Sequence, residues 1–124
     1  GDRPAYLSQH DVRQIQLAKS SIFSGCMTLQ EEAGLSPGQL DALYLAGAFG
    51  NYIDIDRALE IGLLPPVPRD RIFSIGNGAG QGVQMCLLDL AEMDRCKALP
   101  ASIEHVELAT SPKFMETYIM NMNF

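Results

Sequence analysis

Two short segments carry the residues of this chain best suited to chemistry: Gly47-Ala-Phe-Gly50-Asn51 and Gly76-Asn77-Gly78-Ala-Gly80. Each ends an apolar run of strand character, "ALYLAG" (42–47) and "RIFSIG" (71–76). Glycine lets a backbone approach a ligand closely and take positive φ without steric cost. Amide groups at the start of a helix after Gly78 would favour an anion, and Asn51 and Asn77 add side-chain amides that donate and accept. A large flat group, or a phosphate, suits such bare corners. The structural alternative is plain: Gly47 and Gly50 serve a turn, while Gly80 and Gly82 let a helix pack closely. One such segment alone would favour that alternative; two of them at neighbouring strand ends favour a ligand.

Familiar phosphate motifs do not account for them. After Gly76 and Gly78 a dinucleotide fingerprint needs its third glycine at position 81, where Gln81 stands, and a start at Gly78 puts Val83 in that place. No glycine-rich segment runs into Lys-Ser or Lys-Thr, so a P-loop is absent. A third feature joins the glycines. Lys19 interrupts the apolar stripe of the first helix. It is either a snorkelling lysine, stem on the core and ammonium at the rim, or a cation aimed at the edge of a ligand.

The elements that must position these residues alternate. Ser8-Gln-His-Asp11 reads as an N-cap with an acidic N3, a variant capping box, and Val12, Ile15, Ile22, Cys26, Leu29 and Ala33 form an amphipathic stripe ending at Gly34. Ser36-Pro37 caps a short turn. "ALYLAG" predicts a strand buried on both faces, as in a parallel sheet. A short helix over "IDRALEIG" follows, capped by Asp54 or Asp56 and closed by Gly62, and then the strand "RIFSIG". A long helix is expected from about Ala79 to Lys97, with Val83, Cys86, Leu87, Leu90 and Met93 inward. "HVELAT" (105–110) reads as a third strand, and Ser111-Pro112 caps a last helix to about Met122, whose Met115, Met120 and Met122 look like packing residues. Helices alternating with strands predict an α/β fold: a three-layer-like parallel sheet of about three strands with flanking helices and right-handed crossovers. Ligands in such sheets collect at the carboxyl ends of the strands, where both glycine segments lie.

Bulk properties narrow the partners. A chain of 124 residues is one domain or part of one. A formal charge of −6 and a pI near 4.7 argue against a nucleic-acid backbone, and no apolar stretch in the sequence is long enough to span a membrane. Cys26, Cys86 and Cys96 form no CxxC pair, which argues against a zinc or iron–sulfur site within the chain. Free thiols, two of them on apolar helix faces, fit a cytoplasmic location. His10 and His105 have no partner at ligand spacing, and no catalytic constellation is visible. The opening "GDRPAYLSQHD" starts with glycine, which suggests a piece of a longer protein.

Taken together, "DVRQIQLAKSSIFSG", "LQEEAGLSP", "LYLAGAFGNYID…ALEIGLLP", "SIGNGAGQG…LLD" and "VELATSPKF" resemble the C-terminal part of the reductive activators of corrinoid proteins, over nearly the whole chain from about Leu7 to Phe124. Members of that family are ATP-dependent iron–sulfur proteins whose large C-terminal domain resembles sugar kinases, heat-shock 70 chaperones and actin, a ribonuclease H-like fold. The resemblance implies that residues 1–124 are a single C-terminal subdomain, with the ferredoxin domain and the first ATPase lobe lying outside this chain. It implies an adenosine motif at Gly47, Ala48, Phe49 and Gly50, with Asn51 beside it. Gln16, Lys19 and Ser20 would be helix residues edging the nucleoside, and Gly76 and Asn77 would flank the same cleft. The motif here is Gly-Ala-Phe-Gly rather than the paired glycines common in the superfamily. The implied cofactors are ATP with Mg and a 2Fe–2S cluster held by the parent protein outside this chain. The implied partner is the corrinoid protein of a methyltransferase system, whose cobalt is returned from Co(II) to Co(I), and a homodimer is compatible with it. The alternative is a docking or dimerisation module without nucleotide binding.

Overall fold

The computed structural model describes residues 6–124; the glycine that opens the chain lies outside the described residues. The chain forms two compact units. The first comprises residues 6–40, Ile55–Val67 and Glu107–Phe124, and the second comprises Asp41–Asp54 and Pro68–Val106.

In the first unit, helix α1 spans Gln9–Glu32. Its N-terminal box forms as expected. The Asp11 amide donates to Ser8 Oγ at 3.2 Å, and the Ser8 amide donates to Asp11 Oδ2 at 2.9 Å. At the other end Gly34 takes φ of +67°. Its amide donates to the Glu31 carbonyl and the Leu35 amide to that of Gln30, which together close the helix in a Schellman motif. Lys19 apart, the residues that α1 buries most deeply lie off the apolar stripe. Lys19, Ser20, Ser24, Gly25, Thr28 and Gln30 are buried, whereas Ile15 and Leu29 are exposed. The reason lies in the packing of α1 on α6 (Pro112–Met120). Small side chains let two helices approach closely, and the Ser20 hydroxyl donates across the junction to the Tyr118 carbonyl. A Cβ added to Gly25 would stand 3.5 Å from Leu108 Cδ1, an ordinary van der Waals contact.

Helix α3 (Ile55–Glu60) and its connector complete this unit. Ala58, Leu63, Leu64, Pro65 and Val67 form its apolar core, each less than a tenth exposed. Gly62 turns the chain after α3 with φ of +69°. Helix α6 starts at the Ser111 cap, which accepts from the Phe114 amide, and it stacks Phe114 on Tyr118. Met115 and Met120 are exposed rather than packed, and the helix ends at Met120.

The second unit holds the sheet. Strand β1 (Leu43–Ala46) pairs in parallel with β2 (Ile72–Gly76). Leu43 faces Ile72, Tyr44 faces Phe73 and Leu45 faces Ser74; then Ala46 faces Gly76, leaving Ile75 as an extra residue in a bulge. Leu45 and Ile72 are buried. Tyr44 and Phe73 are exposed and stack on each other with centroids 5.7 Å apart. β1 is therefore not buried on both faces.

Two expectations fail here for local reasons. Residues 105–110 do not form a third strand; the sheet among the described residues has two. Glu107 accepts from the Ala109 amide, Thr110 Oγ1 donates to the Glu107 carbonyl, and the Ser111 amide reaches Leu108, so a 3-10 turn over Leu108–Thr110 takes the groups a ladder would need. The long helix breaks into α4 (Gly78–Leu88) and α5 (Leu90–Ala98). Asp89 adopts φ −139° and ψ 120°, and its carboxylate accepts from the Ala91 amide as a new N-cap. Val83, Leu87 and Leu90, expected inward, are exposed.

Candidate functional site

Parallel pairing brings the two glycine corners together on one rim. β1 runs directly into helix α2 (Gly47–Tyr52), so the first glycine segment is a helical turn rather than a loop. Gly47 takes φ of +72° and Gly76 takes +62°, backbone that a side chain would strain. They sit at the paired ends Ala46 and Gly76 of the two strands. Asn51 stands against the second corner: a Cβ on Gly76 would lie 3.3 Å from Asn51 Oδ1, whereas one on Gly47 would meet no atom within 4 Å. Gly50 has a different duty. A Cβ there would lie 2.3 Å from the Leu45 carbonyl oxygen, so glycine is what lets α2 fold back on the strand it leaves. Ser74 of β2 donates its hydroxyl to the Gly50 carbonyl, pinning α2 to the neighbouring strand.

Ala48, Phe49 and Tyr52 of α2 and Ile53, its C-cap, line an open apolar depression of about 360 Å³. Phe49 and Tyr52 are both exposed. Ala48 and Phe49 are expected from the sequence; Tyr52 and Ser74 are not. Tyr52 follows Asn51 directly, and an exposed aromatic one residue beyond a glycine corner is a usable signal. For Ser74, the only signal is a hydroxyl inside an otherwise apolar strand.

Asn77 is engaged in part. Its Oδ1 accepts from the Gly80 amide at 3.0 Å as the cap of α4, leaving its Nδ2 as the group with donor capacity. A Cβ on Gly80 would come within 2.5 Å of Asn77 Nδ2, so Gly80 makes room for the cap. The Gln81 side chain donates to the Ile75 carbonyl at 3.0 Å, holding the bulge closed from behind.

The helix residues named with the corners belong to the first unit. Gln16 is half-buried on α1. Lys19 is 4% exposed, which rules out an ammonium snorkelling into solvent. Its Nζ lies 5.4 Å from the centroid of the Phe124 ring, a cation–π arrangement. A Cβ on Gly62 would meet that Nζ at 3.6 Å. Ser20 is fully buried and its hydroxyl is spent on Tyr118. In this arrangement the Ser20 side chain is a helix-packing group. A separate hollow of about 580 Å³ in this unit, lined by Phe23, Met27, Glu31, Leu35, Lys113 and Thr117 among others, includes none of the named residues.

The second unit therefore presents left-handed backbone at adjacent strand ends and an apolar depression beside it. Among the described residues no group of three or more His, Cys, Asp or Glu could hold a metal ion, and no helix is long and apolar enough to cross a membrane.

Comparison with known proteins agrees with this architecture. The chain is 50% identical over 118 residues to the corrinoid activation enzyme RamQ of Eubacterium limosum, covering 95% of this chain and 20% of that protein. It is 26% identical over 120 residues to the [Co(II) methylated amine-specific corrinoid protein] reductase of Methanosarcina barkeri, covering 95% of this chain and 22% of that protein. A solved structure of a reductive activator for corrinoid, iron–sulfur protein superposes with a TM-score of 0.84 at 27% identity, over 94% of this chain and 18% of that one. The chain thus spans about a fifth of the length of these relatives. The family model described as the C-terminal domain of RACo, the ASKHA domain, matches residues 1–124, and the chain belongs to that family.

Proposed function

We propose that this chain is a nucleotide-facing part of an ATP-dependent iron–sulfur protein that returns corrinoid cobalt from Co(II) to Co(I) for a methyltransferase system. The observation that carries the nucleotide reading is the pairing of Ala46 with Gly76, which sets two left-handed glycine corners side by side, with Asn51 against the second. Gly47 and Gly76 would let the nucleoside approach the backbone. Phe49 and Ala48 offer an apolar face to a flat base, and Asn51 and Asn77 Nδ2 offer hydrogen bonds at its edge. Gln16 and Lys19, on α1 of the first unit, are proposed as nucleoside-edging residues on the strength of the family resemblance. ATP bound with Mg would supply the free energy that biases the intact protein toward a state in which uphill electron transfer can proceed. The 2Fe–2S cluster that donates the electron is assigned to sequence outside these 124 residues, and the whole is assigned to the cytoplasm.

The test is calorimetry with Mg–ATP on the intact protein. Phe49→Ala and Asn51→Ala, both at exposed positions, should each weaken binding about tenfold, roughly 1.4 kcal/mol, with the melting temperature unchanged. Gly47→Val and Lys19→Ala should abolish it. Absence of binding by the wild type, or wild-type affinity in all four variants, removes the nucleotide reading.

A second reading has its own observation. Leu87, Leu88 and Leu90 cluster around the α4–α5 break and are 75%, 88% and 82% exposed, which suits a docking or dimerisation surface. It predicts no heat with Mg–ATP and a Leu88→Glu variant that shifts the oligomeric state in sedimentation.

A further inference from the structure

The break at Asp89 does more than shorten a helix. In one continuous helix, residues 86 and 96 would lie about 15 Å apart along the axis. Because α5 folds back on α4, Cys86 Sγ and Cys96 Sγ instead stand 3.2 Å apart. Cys96 is exposed and Cys86 half-buried, and both thiols are free. A disulfide needs about 2.05 Å between the sulfurs, so roughly 1 Å of side-chain movement separates the present contact from a covalent bond. Cys26, the remaining cysteine, is half-buried on α1 in the first unit.

We propose that Cys86 and Cys96 are a reversible thiol–disulfide pair that staples α5 to α4 by exchange with a low-molecular-weight disulfide. The two thiols differ in role. Cys96 faces solvent and accepts a hydrogen bond from the Cys86 S–H. The same hydrogen bond, then burial and the nearby Cys96 and Glu92 charges, push the Cys86 thiol up from its ordinary value. Cys96, the more accessible sulfur, therefore enters first. Its thiolate attacks one sulfur of R–S–S–R, that bond breaks and RS⁻ leaves, giving a Cys96 mixed disulfide. Cys86 gives its proton to solvent and its thiolate attacks Cys96 Sγ, expelling the second RS⁻. Two cysteines are oxidised by two electrons and the small disulfide is reduced to two thiols. α4 starts at the Asn77 cap beside Gly76, so the staple braces the helix that continues from that corner.

The 124-residue chain itself carries the test. Folded protein is treated with oxidised glutathione, quenched with acid and digested with trypsin. Cleavage after Arg71, Arg95 and Lys97 should join the 72–95 peptide to the 96–97 dipeptide. Two of the three thiols should be lost, Cys26 should remain reduced, and dithiothreitol should restore all three. Cys86→Ser should trap the mixed disulfide on Cys96, which a chain oxidised in denaturant, with scrambled pairings, would not mimic. Persistence of the mixed disulfide in the wild type, pairing of Cys26 to an equal extent, or cross-linked dimers through Cys96 would each overturn the proposal.

Discussion

Glycines that look alike in the sequence do different things. Gly50 is needed for space, since a methyl group would stand 2.3 Å from the Leu45 carbonyl oxygen. Gly50→Ala should lower stability by about 1–3 kcal/mol, the usual penalty of overpacking. Gly82, inside α4, has no atom within 4 Å of where a methyl group would stand, and its φ is not positive. Gly82→Ala should therefore stabilise by about 0.5–1 kcal/mol, because alanine loses less backbone freedom in a helix. Urea unfolding of both variants checks the contrast; equal effects would mean that the close approach of α2 to β1 is not what Gly50 provides. Lys19 teaches the same lesson from the other side. Its place on the stripe is visible in the sequence, but the Phe124 ring that shields it is not.

At the level of elements, end signals are the most legible. Ser8, Gly34, Ser36 and Ser111 mark boundaries that form as their chemistry dictates, because a cap is satisfied by residues three or four positions away. The α1 box also predicts a pH dependence. Hydrogen bonds from the Ser8 side chain and backbone hold the Asp11 carboxyl below its ordinary value of 3.8. A depressed carboxyl stabilises the fold at pH above its unfolded value, and that contribution is lost as the pH falls through the folded value. Helicity measured by circular dichroism should thus favour the wild type over Asp11→Asn near neutrality, with the gap closing in acid. A gap that stayed constant at a pH low enough to protonate Asp11 in the folded chain, well below 3.8, would show that the Asp11 charge is not what stabilises the cap. Strand and helix length are less legible. Asp89 could cap a new helix or ride on a long one, and "HVELAT" could pair or turn; the available partners settle both.

For the molecule as a whole, each unit carries its own apolar centre. In the first, Leu64 is 4% exposed while Leu63 and Val67 are buried beside it in sequence. Leu64→Ala should cost about 2–5 kcal/mol, the transfer loss plus the cavity left behind. Leu88, at 88% exposure in the second unit, should tolerate Leu88→Ala within about 0.5 kcal/mol. Comparable losses in the two variants would mean that the surface around the α4–α5 break is covered in solution.

Residue order alone was enough for the local grammar: caps, glycine corners, the β1 and β2 segments and the family to which the whole chain belongs. These depend on contacts within a few residues, or on a pattern of residue types spread along the chain. Packing in three dimensions was needed to choose which face of α1 is buried, to join the Ser20 hydroxyl to α6, and to set Gly47 and Gly76 on a shared rim. Packing likewise brought Cys86 to Cys96. Those outcomes depend on what lies across the gap between elements, and the spacing of residues along one element carries no information about its neighbour.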